Sequence, residues 1–374
     1  MTNPAHTLLC TVGTSLLGHL GLRGQNGPTL PEAAEALTRG GAGAAARVLA
    51  RLDPLDRRLG AEINSVAELT GRGYIAPDAR IELFHSATEE GRTAAGVLAA
   101  YFRARGHAVE TVEVEHLQDA QPRLFKSKGL RNLAKALCRS VRAWGVDRTA
   151  IDATGGYKAQ IAVAVLIGQA LGLPVYYKHE SFNEIISFPP MPVSLDQGLW
   201  LRWSGLFAAL DRNELVRWEE VEPGWEVEIE PLVERVNIES GTFLDLSPVG
   251  QIFHETFRHR FARERDRMLP PAVPAHGKTR PRLTDHDWGN ARGPVERLLS
   301  RIVEECPYVS RCRDHYWNPD LPAASMFRLR AGKIEGVYSN GTWTVKFWVD
   351  TSATTPGQLE ACVADLNARF GGWM

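Results

Sequence analysis

The sequence predicts an α/β fold with a mainly parallel sheet in its first half, and a smaller α+β domain with an antiparallel sheet at its end. Three observations predict this arrangement. Apolar segments typical of buried strands alternate with helical segments through the first half. Two of these strands end in turns of small polar residues that lead directly into a helix. Near the C-terminus, strand patterns follow one another directly, with an Asn-Gly turn between the last two.

The elements of the first half follow one another in a regular order. The alanine-rich residues 31–52 predict an early helix or an insertion. The strand patterns cover residues 7–12, 81–84, 109–114, 149–152 and 174–177. The helical patterns cover residues 94–105, 130–144 and 158–171. Because parallel strands need crossover connections, which are usually helices, this alternation favours a parallel sheet.

Two strand-to-helix turns carry residues suited to binding an anion. Gly13, Thr14 and Ser15 follow the first strand, and residues 152–159 read Asp-Ala-Thr-Gly-Gly-Tyr-Lys-Ala. The carboxyl ends of parallel strands share one edge of the sheet, where such folds bind ligands. Backbone amides at a helix N-terminus, with a lysine beside them, suit a phosphodiester. Either turn alone is explained by ordinary helix capping, but the pair favours a site.

These two segments resemble those of the CARF domain of CRISPR-associated effectors, and the resemblance extends over roughly residues 1–190. We therefore expect a CARF domain at residues 1–193. The resemblance implies a Rossmann-like fold, a homodimer and a cyclic oligoadenylate ligand made by type III CRISPR complexes. Cyclic tetra-adenylate is the expected allosteric activator, with no other cofactor. The ligand-facing positions that it implies are Gly13, Thr14, Ser15, Thr154, Gly155, Gly156, Tyr157 and Lys158.

Composition limits the class of protein and its compartment. Apolar residues make up 44% and charged residues 23% of the chain, as in ordinary globular proteins. The five cysteines are scattered without a Cys-x-x-Cys pair, which argues against a zinc site or a disulfide framework. No apolar run is long enough to span a membrane, and residues 8–12 are interpreted as a strand, not a signal peptide. We expect a cytoplasmic protein that binds no membrane and no metal.

Charge is distributed unevenly, although the net charge is only −1. Residues 194–250 contain four arginines against twelve acidic residues, a balance of −8, while residues 251–374 have a balance of +4. Residues 194–269 resemble the winged-helix linker found behind several CARF domains, with Leu-Ser-Pro-Val-Gly before a helix at residues 251–268. A duplex reader should be basic, so this part is expected to act as a spacer and dimer brace, not to bind specific DNA.

The C-terminal part, residues 276–374, predicts a helix followed by strands. The helical pattern covers residues 293–305, and the strand patterns cover residues 326–330, 333–338 and 342–350. Asn340-Gly341 predicts a two-residue type I′ turn. In that register Glu335 would face Lys346 across the hairpin.

This layout resembles the RelE mRNA interferases, and CARF–RelE fusions are a known architecture among type III CRISPR effectors. The resemblance implies a ribonuclease, activated by cyclic oligoadenylate, that cleaves mRNA on the ribosome without a metal and so inhibits translation in antiviral defence. Its candidate catalytic residues are Arg328, Arg330, Lys333, Lys346 and His315. The sequence departs from the family where Glu335 replaces an expected arginine, and only Arg369 could match the family's C-terminal arginine.

Each candidate has a plausible role on the polar face of the predicted sheet. Arg328 and Arg330 would hold the scissile phosphate, because fixed guanidinium groups stabilise growing negative charge. Lys333 or Lys346 would accept the 2′-hydroxyl proton, since neighbouring cations lower a lysine's pKa. His315 is a third candidate base. An exposed tryptophan on this face could stack a base, but the pattern fits an ordinary solvated sheet face equally well.

Three alternatives remain open. A CARF–HEPN ribonuclease would cut naked RNA with an Arg-x(4–6)-His motif on a helix, and residues 280–286 have this spacing. A metal nuclease could use Glu335 with Lys346, although no second acid has suitable spacing. Finally, the chain could be a non-enzymatic transcription regulator gated by cyclic oligoadenylate, in which the linker binds DNA.

Overall fold

A computed structural model describes residues 3–23, 27–118, 120–179, 184–192 and 194–372 of the 374-residue chain. The chain divides into two compact units, Met1–Ser194 and Leu195–Met374. Each unit is described by itself below.

Within the described residues, the first unit contains a six-stranded sheet. Its strands are β1 (Ala5–Thr11), β2 (Ile75–Ser86), β3 (Val109–Val114), β4 (Thr149–Asp152), β5 (Val175–Lys178) and β6 (Ile185–Phe188). The strand order is β3-β2-β1-β4-β5-β6, and only the last pair, β5 with β6, is antiparallel. The order reverses direction at β1 and β4, which places a topological switch point between these two strands.

The helices of the first unit follow the strands as crossovers. They are α1 (Ser15–His19), α2 (Pro31–Leu49), α3 (Ala61–Gly71), α4 (Glu89–Ala104), α5 (Pro122–Leu124), α6 (Leu130–Trp144) and α7 (Lys158–Leu171). The bounds of β3, β4, α6 and α7 coincide with the sequence prediction. Helix α3 was not predicted. Its inner face is buried against β2 and β5, although it carries Glu62, Asn64 and Ser65 there.

The second unit combines two antiparallel sheets with helices. Its strands are β7 (Val216–Arg217), β8 (Val233–Ile238), β9 (Gly241–Leu246), β10 (Val309–Asn318), β11 (Met326–Arg330), β12 (Lys333–Ser339) and β13 (Thr344–Thr351). Its helices are α8 (Gln197–Asp211), α9 (Trp218–Val221), α10 (Pro248–Met268), α11 (Arg292–Glu305) and α12 (Pro356–Phe370). The sheet orders are β7-β9-β8 and β10-β13-β12-β11.

One hydrophobic core joins the helix α8 to the larger sheet of the second unit. Leu206, Phe207 and Leu210 of α8 belong to the same buried cluster as Met326 of β11 and Ala364 of α12. The approach is close, since a Cβ atom on Gly205 would overlap the carbonyl oxygen of Phe327. Residues from before and after position 276 therefore share one interior.

The hairpin between β12 and β13 has a different register from the predicted one. Ser339 pairs with Thr344, so the loop has four residues, and Glu335 faces Trp348 instead of Lys346. The reason lies in the loop, where Asn340 Oδ1 accepts hydrogen bonds from the backbone of residues 342 and 343 at 3.0 and 3.1 Å. Because the shift is two residues, every side chain keeps its predicted face.

Candidate functional site

The two small-residue loops lie side by side at the carboxyl edge of the first sheet. Strands β1 and β4 are neighbours, and Cys10 is in register with Asp152, so the loops that follow start level with each other. Thr11 Oγ1 donates a 2.6 Å hydrogen bond to the carbonyl oxygen of Gly155, a contact 144 residues apart in sequence. The predicted proximity of the two loops is present in the structure.

Glycine is required at the contact between these loops. A Cβ atom on Gly13 would lie 2.7 Å from the backbone nitrogen of Gly156, and one on Gly155 would lie 2.5 Å from the nitrogen of Gly13. Gly156 also has a φ of +92°, which L side chains rarely adopt. The backbones can therefore touch only because both positions lack a side chain.

Glu62 of α3 holds the first loop from beneath, and sequence reasoning missed it. Its Oε1 atom accepts a 2.7 Å hydrogen bond from the backbone nitrogen of Gly13, and the residue is only 2% exposed. A buried acid facing a glycine loop is costly unless it accepts hydrogen bonds, so Glu62 fixes the position of the loop. The glutamate in Gly-Ala-Glu-Ile, residues 60–63, carries no motif that would have identified it.

Asp152 and Thr154 fix the second loop from within. Thr154 Oγ1 accepts a 2.9 Å hydrogen bond from the nitrogen of Lys178 and lies 3.2 Å from Ser65 Oγ. Asp152 accepts hydrogen bonds from the nitrogen and hydroxyl of Thr154. Burial raises the pKa of Asp152 to about 7, against the effect of its hydrogen bonds to Thr154 and Ser65 and with a smaller contribution from Glu62. Thr154 is thus a structural member of the loop as well as a candidate contact.

The remaining predicted ligand residues form the exposed rim of this edge. Gly156, Tyr157 and Lys158 are exposed where α7 begins, and the Tyr157 ring meets Phe125 edge-on at 5.3 Å. Thr14 accepts a hydrogen bond from Arg23. Ser15 lines a pocket of about 250 Å³ whose other lining residues are His19, Arg57, Gly60, Ala61, Asn64 and Lys178. The structure thus adds basic and amide side chains that sequence reasoning did not assign to this edge.

A second candidate site lies on the polar face of the larger sheet in the other unit. Glu335 of β12 is fully buried, and three basic side chains surround its carboxylate. Arg328 lies at 2.8 Å, Arg330 at 3.1 Å and His315 at 3.2 Å. Burial would raise the pKa of Glu335, but Arg328 and Arg330 outweigh it and lower the pKa. The residue that departed from the RelE pattern is therefore the centre of this cluster.

His315 lies on strand β10, which the sequence patterns did not predict. Its ring stacks on Trp348 at 4.3 Å with an interplanar angle of 18°, so this tryptophan is half-buried and not freely exposed. Burial lowers the pKa of His315, and Arg330 and Lys346 add to this while Glu335 opposes it. The imidazole is therefore neutral at pH 7 and held in one orientation.

The two candidate lysines lie at the edge of this cluster. The Lys333 ammonium lies 5.8 Å from the centre of the Trp348 ring, and that of Lys346 lies 4.8 Å from the Tyr316 ring. Both lie beside aromatic faces that attract cations. The structure thus brings all five predicted catalytic residues to one face of the sheet.

Other sequence motifs have different surroundings. Residues 280–286 form an irregular segment with a single bridge to β10, not the helix that a HEPN motif requires. Arg369 is paired with the buried Asp365 at 2.8 Å.

Among the described residues, no group of three or more His, Cys, Asp and Glu side chains has the arrangement of a metal site. Within the same part of the chain, every helix is too short or too polar to cross a membrane.

Comparison with known proteins gives one family match. Residues 57–191 match the family described as CRISPR-associated protein (Cas_APE2256). This range includes α3 and the second glycine loop. Among solved structures, Can2 from Sulfobacillus thermosulfidooxidans in complex with cyclic tetra-adenylate (cA4) is similar at 11% identity and a TM-score of 0.25, covering 71% of this chain and 67% of that chain. A TM-score this low does not establish a shared fold. None of the curated proteins matches the chain.

Proposed function

We propose that the protein is a type III CRISPR ancillary effector, a ribonuclease that cyclic oligoadenylate switches on. The observation that carries this proposal is the direct contact between Gly13 and the Gly155-Gly156 loop at the carboxyl edge of the first sheet. Such a backbone edge can approach a phosphodiester closely, and Lys158 would neutralise its charge. The match of residues 57–191 to a CRISPR-associated family supports the same assignment.

The expected homodimer has support on helix α7. This helix is apolar on nearly all sides, and its outer face leaves Ala162 and Leu166 exposed while Val165 is half-buried. A helix with this pattern is usually covered. A second copy seated here would place two Lys158 residues at one interface, so a ring of nucleotides would meet both subunits.

The proposed output is RNA cleavage on the polar face of the larger sheet in the second unit. Residues 276–374 would supply this RelE-like activity, and residues 194–269 would act as a winged-helix-like brace. The Nε2–H group of His315 would donate a hydrogen bond to the Glu335 carboxylate. The unprotonated Nδ1 atom could then accept the proton of the RNA 2′-hydroxyl. The 2′-oxygen attacks the adjacent phosphorus, and the bond from phosphorus to the 5′-oxygen breaks. Lys333 or Lys346 donates a proton from its ammonium group to that 5′-oxygen. The products are a 2′,3′-cyclic phosphate and a 5′-hydroxyl.

Arg328 and Arg330 would stabilise the phosphorane during this step. Glu335 takes part of their hydrogen-bonding capacity but leaves further N–H groups on each guanidinium. The Arg330 side chain is 56% exposed and that of Arg328 is 18% exposed, so Arg330 is the better placed to meet a phosphate first. Charge held in position before the reaction is the largest single contribution in many such sites.

The deciding experiment incubates the whole chain with naked RNA or with translating ribosomes, with and without cyclic tetra-adenylate. Cleavage that needs both the ring and the ribosome, and that persists in EDTA, supports the RelE-type assignment. Cleavage of naked RNA favours the HEPN-type reaction, and binding of duplex DNA without cleavage favours the regulator. No heat of binding with any cyclic oligoadenylate would contradict the signalling proposal.

A further inference from the structure

A pocket of about 480 Å³ opens on the basic cluster of the second unit, and its two walls have opposite charge. Arg328, Arg330 and Lys346 form the basic wall, which comes from β11 and β13. The acidic wall comes from α9 and the turn after it, and contains Glu219, Glu220 and Glu226. The volume falls in the range of sites that hold small molecules, roughly 300–1,000 Å³.

Glu226 and Glu220, two acidic residues of the pocket, differ in whether their carboxylates already accept hydrogen bonds from other side chains. Glu226 is engaged by Arg202, with contacts of 2.9 and 2.7 Å, and by Trp203 Nε1 at 2.8 Å. The carboxylate of Glu220 makes no hydrogen bond or ion pair with another described residue, although its backbone carbonyl accepts one from Arg328 at 3.3 Å. Glu220 is therefore the half-buried acid of this pocket that can still accept hydrogen bonds from a ligand.

The environment of Glu220 favours a partner that donates hydrogen bonds. Burial raises the pKa of Glu220, while Arg328 and Lys346 act in the opposite direction. A carboxylate that has lost water gains from donors aimed at both of its oxygens. Trp203 also lines the pocket and offers an aromatic surface, and Lys346 and Arg330 in the same lining offer charge for a phosphate.

We propose that this pocket holds one nucleotide of the RNA substrate and that Glu220 selects guanine. This inference rests on the proposed ribonuclease function and adds the substrate base to it. Guanine presents an N1–H and an N2–H group side by side, which a carboxylate accepts together. Adenine, cytosine and uracil lack that pair of adjacent donors. The phosphate of the same nucleotide would lie against Arg330 and Lys346.

The proposal is tested first by binding alone, with tryptophan fluorescence of the whole chain titrated with each of the four nucleoside 3′-monophosphates. We expect guanosine 3′-monophosphate to bind roughly 10-fold tighter than the others, the discrimination of a good bidentate contact. Glu220→Gln should abolish that preference, because an amide presents a donor to guanine's donors. Glu222→Gln is the matched control, since Glu222 is exposed in the same segment and does not line the pocket.

Mapping of cleavage sites then separates this inference from the proposed function. With activator present, wild type and Glu222→Gln should cut next to guanine, and Glu220→Gln should cut with relaxed base preference. Equal binding of all four nucleotides, or an unchanged preference in Glu220→Gln, overturns the guanine assignment even if RNA is cleaved. If no RNA is cleaved under any condition, the ribonuclease proposal fails, and the nucleotide titration still decides the pocket.

Discussion

The Nε2 atom of His315 lies 3.2 Å from Oε1 of Glu335. His315 is on β10 and Glu335 is on β12, and strand β13 lies between these two strands in the sheet. Glu335 is completely buried, so it cannot itself meet an RNA substrate. It acts through the groups that it holds. The catalytic proposal therefore predicts separate effects for His315 and for Glu335.

Removing the charge of Glu335 should destabilise the second unit. In Glu335→Gln, Arg328 and His315 lose a buried anion, at a cost of about 3 kcal/mol in the free energy of unfolding. Denaturant unfolding followed by tryptophan fluorescence measures this, because of the ten tryptophans only Trp144 lies in the first unit. The pKa of Glu335 is lowered on folding, so its stabilisation is present above pH 4.5 and lost as pH falls through the folded pKa.

The exposed Glu304 supplies the control for this measurement. Glu304→Gln changes the same charge on the surface of α11 and should leave the unfolding midpoint within error. An equal loss in both variants would mean that the effect comes from net charge and not from the buried cluster.

The pH dependence of cleavage should reflect the lowered pKa of His315. A neutral imidazole is needed as base, so activity is expected to persist at pH 6.5 and to fall only as pH drops through the lowered value. His315→Gln should lose roughly 10²- to 10⁴-fold in kcat. In Glu335→Gln the acidic limb should move further down, because an anion that raises the pKa of His315 is gone. A limb that stays in place in this variant would argue against His315 as the base.

Lys158→Ala should abolish activation by cyclic tetra-adenylate while leaving the fold and the dimer intact. Lys158 is exposed at the start of α7, so its removal costs little in packing but removes a cation from the ring's phosphates. Calorimetry measures ring binding, and light scattering measures the dimer. Arg39→Ala removes an exposed cation from α2 and should bind the ring like wild type.

Gly155→Ala should push the two loops apart. Its new methyl group would lie 2.5 Å from the backbone of both Gly13 and Thr11, which predicts a loss of about 1–3 kcal/mol in stability and loss of ring binding. Gly71→Ala is the control, because a methyl group there meets open space at an ordinary φ. Normal ring binding by Gly155→Ala would show that the loop contact is not the site.

A charge on the outer face of α7 should prevent dimer formation. Leu166 is 46% exposed on the apolar face, so Leu166→Arg is expected to give a monomer by light scattering. Leu55→Arg places the same charge at another exposed leucine of the first unit and should remain dimeric. If Leu166→Arg is also dimeric, the subunits meet elsewhere.

Local sequence patterns located several strands and helices of the first unit, but not the groups that support its loops. Apolar runs and small-residue turns located β1, β4 and α7, because buried parallel strands and helix starts leave strong local patterns. Glu62 lies on a helix whose inner face mixes acids, amides and apolar residues, so periodicity did not reveal it. Its role depends on a contact with Gly13, 49 residues away, that no local pattern encodes.

The second unit was harder to derive for related reasons. Asn340-Gly341 indicated a hairpin correctly, but the turn length depends on side-chain hydrogen bonds of Asn340 and Ser339. Strand β10 lies in a segment rich in charge and has register shifts, which obscure the alternation of a strand. Glu335 stands where the family pattern has an arginine, and its role was not predicted. The reason is that its basic partners come from two other strands.

The common interior of α8, β11 and α12 affects how the proposed catalytic part of the chain can be isolated. A fragment that begins at residue 276 would expose Met326, Ala361 and Ala364 to water, since their neighbours in Leu206 and Phe207 would be missing. Such a piece is expected to aggregate, and silence in a toxicity screen would then report misfolding instead of inactivity. Expression from Leu195 onward keeps that interior whole.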